Sequence, residues 1–406
     1  MTLNPIDYQL MLLPARNAAE ASVWGSAAME YAAAFRPLHF ARDPEAVDWR
    51  GYQHVTLVRP RFWPADLPLL IKQANPAAII DRIPVDTPEA LRLVLSVRVY
   101  YGWRYGPQTE FDWAQLWTPG VCLIGAHGRA TGELEEADFQ IVERAKLEAV
   151  KLTSHATRTT VRRLRQINPD MFILIRVFEA FEENGQPRQI TPAQFVERTL
   201  PDLRRLLDED PAVRYVEIHN EPNLRGEGLG GSWNDGREFG EWFLETMALL
   251  RQIYPDALYG FPGLSPGAGS AAAGRMNSQT FLEQAEFAAQ QADWIGLHAY
   301  WVTEREMTDE RLGFNFMDYR ERFPEKLLFL TEFGNPFQPK PLVASQYARY
   351  YGVLRHITGL GAAFAYILST PNPQESPLWA WRDESGNDAG IAPVVGRREF
   401  IREPNP

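Results

Sequence analysis

The chain predicts a (β/α)8 TIM barrel preceded by a small N-terminal α/β domain. Three observations carry this expectation. Eight strand-like apolar runs recur from Thr118 onward, segments of helical period lie between them, and polar or ionisable residues gather where the runs end. Strands alternating with helices are the pattern of parallel βα units, and eight such units close into a barrel of about 250 residues.

In the N-terminal part, residues 7–14 (DYQLMLLP), 54–59 (HVTLVR) and 77–85 (AAIIDRIPV) read as strands. Residues 18–34, rich in alanine, and 64–74 read as helices. A third helix opens at Thr87-Pro88-Glu89, an N-cap followed by proline at the first helical position. Asp81, Arg82 and Asp86 read as solvated strand-end charges. The aromatic run Tyr100, Tyr101, Trp103, Tyr105, Phe111, Trp113 and Trp117 is expected to pack this domain, residues 1–117, whose role the sequence does not disclose.

The barrel, residues 118–406, is expected to place its strands at 121–127, 147–153, 171–178, 213–219, 258–261, 294–300, 327–333 and 362–368. After the third run, Thr191-Pro192-Ala193-Gln194 has the spacing of a capping box. After the fourth, Phe239, Trp242, Phe243, Thr246, Leu249, Leu250 and Ile253 recur at three- and four-residue spacing on one helix face.

Composition narrows the function classes. The apolar fraction of 45% and charged fraction of 23% are those of an ordinary globular protein. A net charge of -11 without a lysine or arginine run argues against nucleic acid as a partner. No segment reaches the roughly 20 apolar residues needed to cross a bilayer, so no membrane partner is expected. MTLNPIDYQL lacks the pattern of a signal peptide, which reads as a cytoplasmic protein. Cys122, the single cysteine, lies in an apolar run and reads as core. The histidines are scattered without ligand spacing, so neither a metal nor a cofactor is expected. The Gly-rich stretch 260–274 has no Gly-Lys-Ser/Thr and reads as a flexible wall over the pocket.

The strand ends carry the chemistry. Glu221, in Tyr215-Val-Glu-Ile-His-Asn-Glu-Pro-Asn223, closes the fourth run where Pro222 stops the ladder. Glu332, in Leu327-Leu-Phe-Leu-Thr-Glu-Phe-Gly-Asn-Pro336, closes the seventh. These strands lie across the barrel mouth from one another, and two carboxylates facing each other over a pocket suit glycoside hydrolysis. Trp233, Trp301, Trp379 and Trp381 fall in loops near the same mouth and are candidates for stacking on a sugar face. His127, Lys151, His155 and Glu179 read equally as substrate contacts or as supports of the rim.

Asn220-Glu221-Pro222, His298-Ala299-Tyr300 and Thr331-Glu332-Phe333-Gly334, in this order on strands four, six and seven, resemble the glycoside hydrolase clan A pattern of retaining (β/α)8 enzymes. The resemblance spans residues 118–406. It implies a carbohydrate substrate, Glu221 as general acid/base and Glu332 as nucleophile. It further implies Asn220 on the sugar 2-hydroxyl, Tyr300 on the nucleophile and His298 lining the pocket. An arginine commonly accompanies the nucleophile in the clan; Arg176, ending the third run, is the candidate, on a strand that departs from the commonest placement. Two other readings stand beside the hydrolase: a silent carbohydrate-binding or scaffold protein on the same barrel, and an interaction protein working through residues 1–117.

Overall fold

Leu10 and Leu12 alternate with Met11 and Leu13 along and just beyond the first strand, and all four are buried, so this strand must be covered on both faces. In the computed structural model, which describes residues 8–64, 66–83, 85–101, 117–270, 274–355, 357 and 359–398, that requirement is met. Strand β1 (Gln9–Leu12) lies centrally in a parallel sheet with β2 (Leu38–Ala41), β3 (His54–Val58) and β4 (Ile79–Ile83), in the order β2-β1-β3-β4. Met11 and Leu13 pack with Trp24, Tyr31, Leu91 and Val94 on one face. Leu10 and Leu12 pack with Val55, Leu57, Leu67 and Ile71 on the other.

The helix expected over 18–34 is two helices, Ala18–Ala27 and Met29–Ala34, separated at Ala28. Strand β2 escaped the sequence reading because its short Leu-His-Phe-Ala run is half exposed and carries little apolar signal. The helix opening at Thr87 is Pro88–Tyr101, with the Thr87 hydroxyl accepting from the Ala90 amide at 3.2 Å as an N-cap does. Asp81 corrects its expectation: it is buried, and Arg98 grips it at 2.6 and 3.1 Å while Thr56 donates to it at 3.1 Å. Asp86, by contrast, is exposed beside Arg59. Of the aromatic run, the side chains before Trp117 lie outside the described residues; Trp117 is buried and donates to the Val121 carbonyl at 2.8 Å.

The chain divides into two compact units, Leu123–Tyr351 with Gly359–Arg397 forming the second. Its strands are β5 (Leu123–His127), β6 (Ala149–Thr153), β7 (Phe172–Val177), β10 (Tyr215–Ile218), β11 (Leu258–Phe261), β12 (Trp294–Tyr300), β13 (Leu327–Gly334) and β14 (Leu360–Ala365). They close in parallel as β10-β11-β12-β13-β14-β5-β6-β7, the barrel that the sequence predicts. The hairpin β8 (Glu182–Glu183) and β9 (Gln186–Pro187) is an excursion after β7 that no periodicity announced.

Each expected strand run contains most of its observed strand, because the barrel buries both faces of a strand and leaves a continuous apolar signal. The interior is packed, not open: Phe172 stacks on Phe329 at 5.4 Å and 2°, and Trp294 meets Phe329 edge-on at 5.0 Å. Thr191 and Gln194 form the expected reciprocal capping box on the helix Pro192–Leu207. On the helix Gly236–Ile253, Phe239, Trp242, Phe243, Thr246 and Leu250 are buried with Met247, whereas Leu249 is half-buried and Ile253 is 39% exposed. Cys122 is buried. Among the described residues no helix is long and apolar enough to cross a membrane.

Candidate active site

The fourth strand ends by turning sharply. His219 and Glu221 both hold positive φ, 74° and 33°, a region that residues with side chains rarely adopt. The turn is fixed from outside: the Glu221 amide donates to the Gly263 carbonyl at 3.1 Å, and the His219 Nε2–H donates to the Glu227 carbonyl at 2.6 Å. A backbone held in such a conformation at a strand end is a mark of functional constraint. Gly263 must be glycine, since a Cβ there would stand 2.2 Å from His298 Cδ2.

On the opposite wall, the β12–β13 ladder shifts register between Leu297 and His298, so that His298 pairs with Glu332. The shift re-aims the following side chains, the usual effect of an irregularity at a barrel rim. His298 then stands between the two carboxylates, its Nδ1 2.8 Å from Glu221 Oε1 and 3.7 Å from Glu332 Oε2. One oxygen of Glu221 and one of Glu332 lie within 4.8 Å of each other.

Glu332 is 4% exposed yet surrounded by donors. Tyr300 Oη donates to Oε2 at 2.6 Å, Arg176 Nη1 donates to Oε1 at 2.8 Å, and Lys151 Nζ stands 3.5 Å from Oε1. Burial alone would raise the carboxyl's pKa; His298, Lys151 and Arg176 together outweigh it and hold the pKa well below the usual carboxylate range. Burial and the neighbouring Glu332 drive the Tyr300 phenol well up, which keeps it protonated as a donor. Burial first, then Arg176 and Lys151, push His127 down, so this ring is neutral where it faces Glu332 at 3.9 Å.

Glu221 sits in a different setting. Its side chain is 16% exposed, its partner is the His298 ring, and no lysine or arginine among the described residues pairs with it. Asn220 stands beside it with its amide oriented by chemistry: Oδ1 accepts from Arg176 Nη1 at 2.7 Å and Nδ2 donates to Glu227 Oε1 at 3.2 Å. Arg176 thus bridges Asn220 and Glu332 through one nitrogen.

Glu221, Glu332, Asn220, His298, Tyr300 and Arg176 are therefore gathered in one place. The tryptophans divide. Trp379 is partly exposed, with its ring edge-on to Tyr300 at 5.2 Å and to Tyr366 at 5.6 Å. The other three have no free face, which corrects their expected role. Trp233 is wholly buried among Phe181, His219, Phe239 and Trp242 with its N–H on the Pro222 carbonyl. Trp301 is stacked on Phe333 and bonded to Gln346, and Trp381 is wholly buried near Tyr347.

Among the weaker candidates, Lys151 and His127 face Glu332, whereas His155 pairs with Asp202 and Glu179 with Arg198 away from it. Two further carboxylates escaped the sequence reading. Glu217, wholly buried, lies 2.7 Å from Lys151 and accepts from the Gly263 amide at 3.3 Å. Its signal was an acid inside an apolar strand, on the face shared with Tyr215. Glu227, in the loop after β10, had no sequence signal.

Glu221, His298 and Glu332 each offer one ligand atom, all within 4.8 Å, a cluster that linear spacing could not reveal because the residues come from three strands. The residues fit a cation poorly, since Arg176 and Lys151 already face Glu332 and a dication would be repelled by both. The stretch 262–270 is tied down: Asn223 accepts from the Ser265 amide at 2.9 Å and donates to the Ser265 and Met276 carbonyls, so this wall is braced where the sequence suggested flexibility.

No protein-family model matches the chain, and no curated protein matches it. Solved structures similar to it include a β-D-glucuronidase from Dictyoglomus thermophilum, at 12% identity and a TM-score of 0.46, over 70% of this chain and 51% of that one. The chain thus spans about half the length of that protein. Two others are endo-β-1,3-glucanases of the GH128 group. The one from Sorangium cellulosum has 16% identity and a TM-score of 0.46, over 67% of this chain and 98% of that one. The one from Amycolatopsis mediterranei has 11% identity and a TM-score of 0.44, over 68% of this chain and 99% of that one.

Proposed function

We propose that the barrel is a retaining glycoside hydrolase that cleaves a β-glycosidic bond by double displacement. The observation that carries the reading is the pair Glu221 and Glu332, with oxygens within 4.8 Å, Glu332 set among Arg176, Lys151 and Tyr300 and Glu221 on the His298 ring. Retaining enzymes hold their carboxyls about 5–5.5 Å apart, whereas inverting ones leave room for a water.

In this reading Glu332, kept ionised by its cationic neighbours, attacks the anomeric carbon, and the carboxyl proton of Glu221 passes to the leaving oxygen. A glycosyl ester on Glu332 results. Glu221, now a carboxylate, takes a proton from water as that water displaces the sugar, restoring both groups. The His298 ring, 2.8 Å from Glu221 Oε1 through Nδ1, holds that carboxyl in place for both steps. Tyr300 and Arg176 stabilise the charge on Glu332 before attack, and Asn220 keeps an amide hydrogen for the sugar 2-hydroxyl. Trp379, at the rim, offers the stacking face.

The test is turnover of a panel of 4-nitrophenyl β-glycosides by wild type and Glu332→Ala. The variant should lose at least about a thousandfold in kcat, and azide should restore turnover as an α-glycosyl azide. Unchanged hydrolysis by Glu332→Ala would sink the assignment.

A further inference from the structure

Asn220 stands between Arg176 and Glu227, which decide how its amide faces. Arg176 can only donate, so the amide oxygen must turn toward it, and the amide nitrogen is left to Glu227 Oε1 at 3.2 Å. This makes a chain of contacts Glu332–Arg176–Asn220–Glu227 running from the buried carboxylate of β13 to the loop after β10.

Glu227 is held for this task. Its carbonyl receives the Nε2–H of the buried His219 at 2.6 Å, and the short helical turn Arg225–Glu227 begins two residues beyond Asn223, whose side chain is fixed on Ser265 and Met276. The second carboxyl oxygen, Oε2, is buried, with no hydrogen-bond partner among the described residues, and His219 Nε2 lies 3.8 Å away. Leaving a buried carboxyl oxygen unbonded is costly, so the side chain has a use at its other oxygen.

We propose that Glu227 is a positioning residue: it fixes one amide hydrogen of Asn220 so that the other faces the pocket and meets the substrate's 2-hydroxyl. The proposal deepens the glycosidase reading and rests on it. Glu227 does not touch the sugar. It acts through Asn220, which Arg176 alone would hold by the oxygen and leave free to tilt.

The experiment compares the 4-nitrophenyl β-glycoside that the wild type cleaves fastest with its 2-deoxy counterpart, which has no hydroxyl for Asn220 to reach. In the wild type, the ratio of kcat/KM for the two substrates measures the 2-hydroxyl contact. Glu227→Ala should lower this ratio about tenfold or more by slowing the parent glycoside and sparing the 2-deoxy one. Glu227→Asp, one methylene short, should lower it as well, and Glu227→Gln, which keeps an acceptor at Oε1, should restore it to within about threefold of wild type. Asn220→Ala combined with Glu227→Ala should lower the ratio no further than Asn220→Ala alone. If Glu227→Ala does not fold, the contrast between Asp and Gln decides. Equal losses on both substrates, or equal ratios in Asp and Gln, would overturn the role of Glu227 while leaving the glycosidase reading intact. A wild type inactive on every glycoside would overturn the glycosidase reading, and this proposal with it.

Discussion

Glu332 keeps its charge where burial opposes it, and the reason is the company it keeps: Tyr300 and Arg176 in contact, Lys151 slightly farther and His298 beyond. Removing one cation should let burial reassert itself. Arg176→Met is therefore expected to move the acid limb of the kcat/KM profile upward by about 1 to 3 pH units, because Glu332 would then protonate at higher pH. The loss of kcat/KM should be larger at pH 5 than at pH 8, and an acid limb that stays in place would show that Arg176 does not set this ionisation. At this scale the sequence was informative about identity and poor about surroundings. Both carboxylates were legible because each sits where an apolar run meets a Pro or Gly. Glu217 and Glu227 were not, since what makes them part of the site is proximity to Lys151 and Asn220, residues distant in the chain.

The strands were the most legible elements, and the irregularities in them the least. All eight barrel strands stand where apolar runs end in polar loops, because a strand buried on both faces writes its length into the sequence. The register shift at Leu297 and His298, which pairs His298 with Glu332, left no mark in the residues on either side. In the N-terminal sheet, β4 reads as a strand, but the burial of Asp81 depends on Arg98, contributed by the helix Pro88–Tyr101. Arg98→Ala should strip Asp81 of its counter-charge and destabilise this unit by about 3–5 kcal/mol in urea unfolding. Adding Asp81→Leu to that variant should recover much of the loss, as replacing a buried pair by apolar groups often does. A destabilisation below about 1 kcal/mol would mean that water reaches Asp81.

For the molecule as a whole, the carboxyls of the site set opposite pH dependences. Burial raises the Glu227 carboxyl to about 7 against the pull of Arg176 and Asn220, so the folded protein binds that proton more tightly than the unfolded chain does. Its contribution to stability is full below the unfolded carboxyl's pKa of about 4.3 and is lost as pH rises through about 7. Glu332 behaves in the reverse sense: its contribution is present above about 4.3 and disappears as pH falls through its lowered folded value. Glu227→Gln removes only the first dependence. Its stability relative to wild type should grow by about 1–3 kcal/mol between pH 4 and pH 7 and level off above, measured by urea unfolding across that range. A difference that stays flat with pH would contradict a buried, proton-retaining Glu227. The sequence by itself determined the alternation of strands and helices, hence the barrel, and the two residues that end strands four and seven, because burial and turn formation are written locally in residue type and period. Only the tertiary structure decided which groups surround those residues: that three of four candidate tryptophans are packing, that Arg176 joins Asn220 to Glu332, and that Glu227 holds the far side of Asn220. These are contacts between strand ends far apart in the chain, set by how the barrel closes and where its register shifts, and no local pattern encodes them.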